Sequence, residues 1–375
     1  MKWNFCPAAA ILAAVLSVLL CGSFGYCQDT AENSIKIKGS VKNEIIISET
    51  DIAKLALTEK RVKVSGKTGE YLGSYVMKSV NLADLLDKAE VSKKADDGFD
   101  RELDMYIVVR GKDGRSALFS YGEIFLGREK GNVVVTAGAR QIIPHKHPDL
   151  APMGFDTKKW IDANDAAKVD LKSCVSCHNG KELSAVYIPS GFCLFSSSDA
   201  SGARFIEGVT TIEVCQVSRK IEKEKLAKDK NEMWIEKPVL NIFDKNSSEL
   251  AEGDLKNFAK DAHTSNTVGL GKGFHGTHNY EGKNFADFLK PACAKENADI
   301  SRIYVLITAA DGYRCLFSGG EIFDSVRGAN LMLVETEDGK PLKKGDGKYK
   351  AFIKEDFFVD RAIRSVSEIY CGIIQ

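Results

Sequence analysis

Hydrophobic positions along this chain fall into two recurring patterns. Leu82, Leu85, Leu86 and Ala89 recur at helical spacing and predict a short helix with one apolar face. Asp104 to Arg110 is instead β-branched and aromatic, and Asp113-Gly114 supplies a turn signal before Arg115 to Ser120. That stretch predicts a strand–turn–strand hairpin. The same order returns later, with Phe285 to Leu289 as the helix and Ile303 to Ser318 as a hairpin around Asp311-Gly312. Ser218 to Lys237 is rich in Lys and Glu with spaced Ile221, Leu226, Met233 and Trp234, which predicts a solvated helical linker. Helix and hairpin together predict an α+β class.

The recurrence is a duplication. Asp113-Gly-Arg-Ser-Ala-Leu-Phe-Ser-Tyr-Gly-Glu-Ile-Phe125 returns as Asp311-Gly-Tyr-Arg-Cys-Leu-Phe-Ser-Gly-Gly-Glu-Ile-Phe323, nine of the thirteen positions being identical. Asn81 to Leu86 matches Asn284 to Leu289, and Gly73 and Ala89 match Gly276 and Ala292. Ala203 to Val209 matches Asp360 to Val366, and Ile212 matches Ile369, so order is kept throughout. The expected organisation is a signal peptide over 1–27, a first repeat domain over 28–217, a charged linker over 218–237 and a second repeat domain over 238–375. Between hairpin and closing segment the first copy carries extra chain, about 145–190, where the second crosses from Val334 to Lys350. In both copies the hairpin leads into Gly-Glu-Ile-Phe. Glu123 and Glu321 read either as ligand-contacting carboxylates or as polar groups in a local turn.

The signal is read from Lys2, the apolar run Ala8 to Leu20, and the small residues Gly22, Ser23 and Gly25. That run is shorter than the roughly 20 apolar residues a membrane span needs. The expected location is therefore periplasmic or otherwise exported, with no membrane span after signal removal. The 375 residues carry 52 basic and 52 acidic side chains, so no net field selects nucleic acid as a partner. Of ten cysteines, Cys193, Cys215, Cys293, Cys315 and Cys371 fall outside the signal region and the motif described next. That is an odd number, so at least one thiol is expected to be free.

The densest chemistry is Cys174-Val-Ser-Cys177-His178. C-x-x-C-H is the spacing that attaches haem c, two thioethers clamping the porphyrin and the histidine ligating iron. The rival is half of a zinc site completed by His145 and His147. One haem c is expected on Cys174 and Cys177, with His178 as the proximal iron ligand. His147, His145 and Met153 are the candidate distal ligands, within reach at up to ~3.3 Å of extended chain per residue. A second cluster, His263, His275 and His278 among the glycines of Gly269-x-Gly-x-Gly273, reads as a metal or haem ligand set, an anion cradle, or a mobile polar loop.

The Leu-x-Asp-Leu-Leu helix, the Asp-Gly hairpin with Phe-Ser-x-x-Glu, and the closing Arg-x-Ile-x-x-Val-x-x-Ile segment resemble the molybdopterin-binding domain of the sulfite oxidase family. The matching residues are Leu82 to Leu86, Asp113 to Glu123 and Arg204 to Ile212, and again Phe285 to Leu289, Asp311 to Glu321 and Arg361 to Ile369. The resemblance implies two tandem copies of that α+β fold, the first with the haem-bearing insert. Catalytic members place a cysteine thiolate on molybdenum after the strand preceding the Leu-Leu helix. The corresponding segments here, Arg61 to Gly69 and His263 to His275, contain no cysteine. Molybdopterin is therefore not expected, and the resemblance implies fold rather than oxotransferase activity.

These readings converge on an exported one-haem cytochrome-like electron carrier, not itself an enzyme, that serves a redox partner protein. The alternatives are a divergent molybdopterin-dependent oxidoreductase passing electrons to its own haem, and a haem-based ligand-binding module.

Overall fold

Period-two burial marks the first strand, where Ile35 and Ile37 point into the core and their neighbours outward, whereas another strand, Arg314–Ser318, is buried at every position. The computed structural model describes residues 33–94, 98–129, 131–141, 191–222, 225–328 and 330–374. In the first half the strands are β1 (Ser34–Gly39), β2 (Ile45–Ser48), β3 (Thr58–Ser65), β4 (Tyr71–Asn81) and β5 (Met105–Gly111). They are followed by β6 (Ser116–Ser120), β7 (Val133–Gln141), β8 (Cys193–Ser196) and β9 (Val209–Gln216). The second half contributes β10 (Val239–Ile242), β11 (Asn246–Glu249), β12 (Asp261–Gly269), β13 (Gly273–Asn284) and β14 (Ile303–Ala309). It ends with β15 (Arg314–Ser318), β16 (Leu331–Glu337), β17 (Lys340–Pro341), β18 (Lys350–Ile353) and β19 (Val366–Ile373).

Among the described residues the strands form four sheets. Two have five strands in the orders β2-β1-β9-β5-β6 and β11-β10-β19-β14-β15. The others are β3-β4-β7-β8 and β12-β13-β16-β17, with β18 also pairing with β16. Each five-stranded sheet contains one parallel pair, β1 with β9 and β10 with β19, so the opening and closing segments of each half lie side by side.

The α+β class, and with it the tandem sulfite-oxidase-like molybdopterin-binding fold, is corrected by this architecture. The chain is mostly β, in a four-blade β-propeller arrangement. Helices are few and short among the described residues. α1 (Glu49–Ala53) and α2 (Leu82–Ala89) precede α3 (Tyr121–Phe125) and α4 (Glu252–Leu255), and α5 (Phe285–Lys295) and α6 (Gly319–Phe323) follow. The two longest lie where the leucine spacing predicts them, and α2 buries Leu82, Ala83, Leu85, Leu86 and Ala89. Each covers one patch of sheet and makes no layer of its own. The helical periodicity was the loudest local signal, whereas strands without a turn signature, such as β1, β8 and β18, carry little local evidence of themselves. The helical form expected for the charged stretch is also corrected. The described residues of 218–237 are turns and extended chain without an α-helix, since a charged stretch with few apolar anchors gains little from helical packing.

The two halves meet along β6 and β15. Val108, Leu118, Leu306 and Leu316 are buried together there with Val217, Tyr370 and Ile374. Tyr106 stacks on Tyr304 with ring centroids 5.8 Å apart and planes 8° apart. Equivalent residues of the two copies thus face one another, as at an isologous dimer interface. Backbone bonds cross in matched pairs: Arg128 N–H to Glu355 O (2.9 Å) mirrors Val326 N–H to Ser198 O (2.8 Å).

Candidate functional site

The duplicated Gly-Glu-Ile-Phe segments open α3 and α6, and they meet at the seam between the halves. Ser120 and Ser318 cap these helices by accepting from the N–H groups of Glu123 and Glu321. The glutamates face inward. Arg204 donates from Nη1 to Glu123 Oε1 (2.7 Å) and to Ser318 Oγ of the other half (2.9 Å). Arg361 does the same toward Glu321 Oε1 (2.7 Å) and Ser120 Oγ (3.2 Å). Asp199 and Asp356 accept from the Nε of Arg204 and Arg361 at 2.9 and 2.7 Å. Ser120 Oγ donates to Glu321 (2.6 Å), and Ser318 Oγ donates to Glu123.

Both guanidinium groups are almost fully buried, with 1% of each arginine exposed. Burial opposes their charge, but Asp199 with Glu123, and Asp356 with Glu321, outweigh it and hold both arginines above their ordinary values. Burial pushes Glu123 well up against the pull of Arg204, reinforced by the neighbouring Glu321, whereas Arg361 and the hydrogen bonds from Ser120 and Arg361 draw Glu321 down. Burial also lifts Asp356 to about 6, against the pull of Arg361. The glycines before the glutamates now have a reason. A Cβ on Gly320 would lie 2.1 Å from the Arg204 guanidinium carbon, and one on Gly122 would lie 2.2 Å from Arg361 Cδ. Glu123 and Glu321 are therefore neither ligand carboxylates nor helix caps. They bind the halves together through charges buried in pairs. Arg204 and Arg361, the first residues of the closing Arg-x-Ile motif, were visible in the repeat only as identities.

The three histidines of the second copy lie on the β12–β13 hairpin, and the Gly269-x-Gly-x-Gly273 stretch is its turn, with φ of +74° at Gly271 and +77° at Gly273. The hairpin borders a cleft of about 440 Å³ lined by His275, His278, Tyr280, Glu337, Lys350 and Arg364, among others. His278 Nδ1 lies 3.1 Å from Glu337 Oε1 and 3.0 Å from Asp338 Oδ2. These are the residues that structure, not spacing, brings together: the ring partnered in sequence with His275 instead meets two carboxylates at the far end of β16. His263 packs toward Phe352, ring centroids 6.0 Å apart, and burial lowers its pKa. Lys350 reaches Glu337 Oε2 (3.5 Å) and sits over the Tyr280 ring (4.5 Å), and burial lowers its pKa.

Cys174, Cys177, His178, His145, His147 and Met153 lie outside the described residues, in the connection from β7 to β8. The signal-peptide residues also lie outside them. Cys193, Cys293, Cys315 and Cys371 are buried and Cys215 is half-buried; no disulfide joins any two of them among the described residues, and none lines the cleft. Burial raises Cys315 well above the ordinary thiol range, which makes it a small core side chain and not a nucleophile or ligand. No helix of the described residues is long and apolar enough to cross a membrane.

No protein-family model matches the chain, and no characterised protein matches it in sequence. Among solved structures, the sulfane dehydrogenase SoxCD from Paracoccus pantotrophus is similar at 9% identity and a TM-score of 0.29, over 91% of this chain and 78% of that one. A likeness at that level assigns neither family nor activity.

Proposed function

We propose that the chain is an exported electron carrier with one covalently attached haem c, serving a redox partner protein. The observation that carries this reading is Cys174-Val-Ser-Cys177-His178 behind an apolar export-type leader. In that role Cys174 and Cys177 bond the porphyrin, His178 ligates the iron, and the second axial ligand is His145 or His147, with Met153 the alternative. A haem so held takes up and returns one electron, at a potential set by its axial pair and burial. Two features of the frame support the reading. The motif falls in the sequence between β7 and β8, a stretch the second copy lacks, where extra chain is tolerated. The seam joining the halves is cross-braced by buried arginine–carboxylate pairs, which suits a carrier that changes oxidation state without changing shape.

The test is expression in a host that matures haem c, followed by a haem stain of the denatured protein on a gel. Retained stain is the expected result, and the double variant Cys174→Ala, Cys177→Ala should abolish it. Equal stain in that variant would overturn the assignment. For the distal ligand, a sulfur-to-iron charge-transfer band that vanishes in Met153→Ala would select methionine over histidine.

A further inference from the structure

We infer that His278, Glu337 and Asp338 form a binding site for a divalent metal ion at the edge of the second-half cleft, separate from the proposed haem. The first ground is distance. The three ligand atoms lie within 4.8 Å of one another, with His278 Nδ1 at 3.1 and 3.0 Å from one oxygen of each carboxylate. Ligands about 2.1 Å from an ion and at right angles to each other lie about 3.0 Å apart, so two of the three edges already match adjacent ligand positions, and an ion would take the place of the hydrogen bond that now joins His278 Nδ1 to Asp338.

The second ground is how the ligands are held. Each carboxylate has one oxygen engaged by the protein and the other turned to the imidazole. Glu337 Oε2 lies 3.5 Å from Lys350 Nζ, and Oε1 faces His278. Asp338 Oδ1 accepts from Asn279 N–H at 2.9 Å, and Oδ2 faces His278. Support of this kind from outside the ligand set fixes which oxygen points at the ion. The backbone agrees. Asp338-Gly339 is a two-residue hairpin turn with φ of +54° and +72°, and Asp338 N–H donates to Asn279 O (2.8 Å). The turn is thereby locked to the strand that carries His278. Gly276 lies where a Cβ would come within 3.0 Å of His278 Nε2, so the ring's place depends on that glycine.

His278 and Glu337 line the cleft and are about a quarter exposed, and Asp338 is half exposed, so an entering ion keeps water or takes a cleft ligand in its remaining positions. One imidazole with two carboxylates suits manganese, ferrous iron or zinc better than a thiolate-seeking ion. Lys350 and Arg364 also face this cleft, and Arg364 is drawn 3.7 Å from Asp346. With two carboxylates against Lys350, the immediate site is net anionic before an ion enters.

The probe is Mn2+ added to the chelator-treated full chain, followed by loss of the aqueous ion's paramagnetic resonance signal. Mn2+ is chosen because it disfavours thiolates and so leaves Cys174 and Cys177 out of the measurement. One bound ion per chain is expected, with His278→Ala and Glu337→Gln each weakening it at least tenfold. Asp338→Asn should weaken it while keeping the turn, and thermal melting of all three verifies that they fold. The same binding is expected in the Cys174→Ala, Cys177→Ala variant, so failure here is distinguishable from failure of the haem proposal. No binding at millimolar Mn2+, or binding unchanged by His278→Ala and Glu337→Gln in folded protein, overturns the site.

Discussion

One connection distinguishes the two halves. In the first, β7 ends at Gln141 and β8 resumes at Cys193; in the second, β16 ends at Glu337 and β18 resumes at Lys350. The flanking strands pair alike, Val133 with Ser196 and Leu331 with Ile353. Into the same gap one half sets the stretch with Cys174-Val-Ser-Cys177-His178, and the other a tight Asp338-Gly339 turn beside His278. In the first half Tyr75, two residues after Gly73, stands where His278 follows Gly276. Duplication preserved the strand frame in both halves, while the sequence between these strands diverged in length and composition. The seam shows the complement: there both copies kept the same Ser, Gly, Glu and Arg because each half needs the other's.

The strongest way to break this comparison is at the seam. Arg204→Met and Arg361→Met each strand two buried carboxylates, and each should cost about 3–5 kcal/mol of unfolding free energy by denaturant titration. Similar losses support equivalent roles; a loss confined to one arginine would show that the halves only look alike. Acid titration comes next. Asp356 holds its proton more tightly folded, at about 6, than in an ordinary carboxyl at 3.8. In that window the folded chain binds more protons than the unfolded one, so this group's stabilisation is complete below about 4 and is lost as pH rises through 6. At about 1.4 kcal/mol per unit the effect is on the order of 2–3 kcal/mol. Asp356→Asn should remove that slope from stability measured between pH 4 and 7, and an unchanged slope would place the titrating group elsewhere.

Smaller still are Gly122→Ala and Gly320→Ala, which push a methyl group into a guanidinium. About 1–3 kcal/mol each is expected, read as a lowered melting temperature. Ser48→Ala calibrates the series away from the seam. It removes the N-cap of α1, whose box joins Ser48 and Asp51, and should cost about 1 kcal/mol. A loss there as large as at the glycines would mean the seam is nothing special.

Legibility followed how local each feature is. α2 and the β5–β6 and β14–β15 hairpins could be read because each advertises itself within a dozen residues: an apolar face at helical spacing, or Asp-Gly between apolar runs. The fold class could not, because β1 and β9, or β10 and β19, are partners from opposite ends of a half, and nothing local marks that they lie side by side. Reading the helix as a layer followed from the same blindness. The histidine cluster was visible as a concentration of imidazoles, but its partners Glu337 and Asp338 lie some sixty residues away on another strand. His275-x-x-His278 suggested a pair of ligands; strand geometry set His278 beside the carboxylates instead.

What the sequence determined alone is what depends on covalent order. The Cys174-x-x-Cys177-His178 spacing, the repeat itself and the identity of Gly122 with Gly320 and Arg204 with Arg361 are all fixed by position along the chain. What only the tertiary structure decided is which of those residues meet. Arg204 closes over Gly320 and Arg361 over Gly122 because the copies pack face to face, and a buried charge is stable only where an opposite one is brought to it. A chain records its own neighbours; its partners across the seam exist only once strands far apart in sequence have paired.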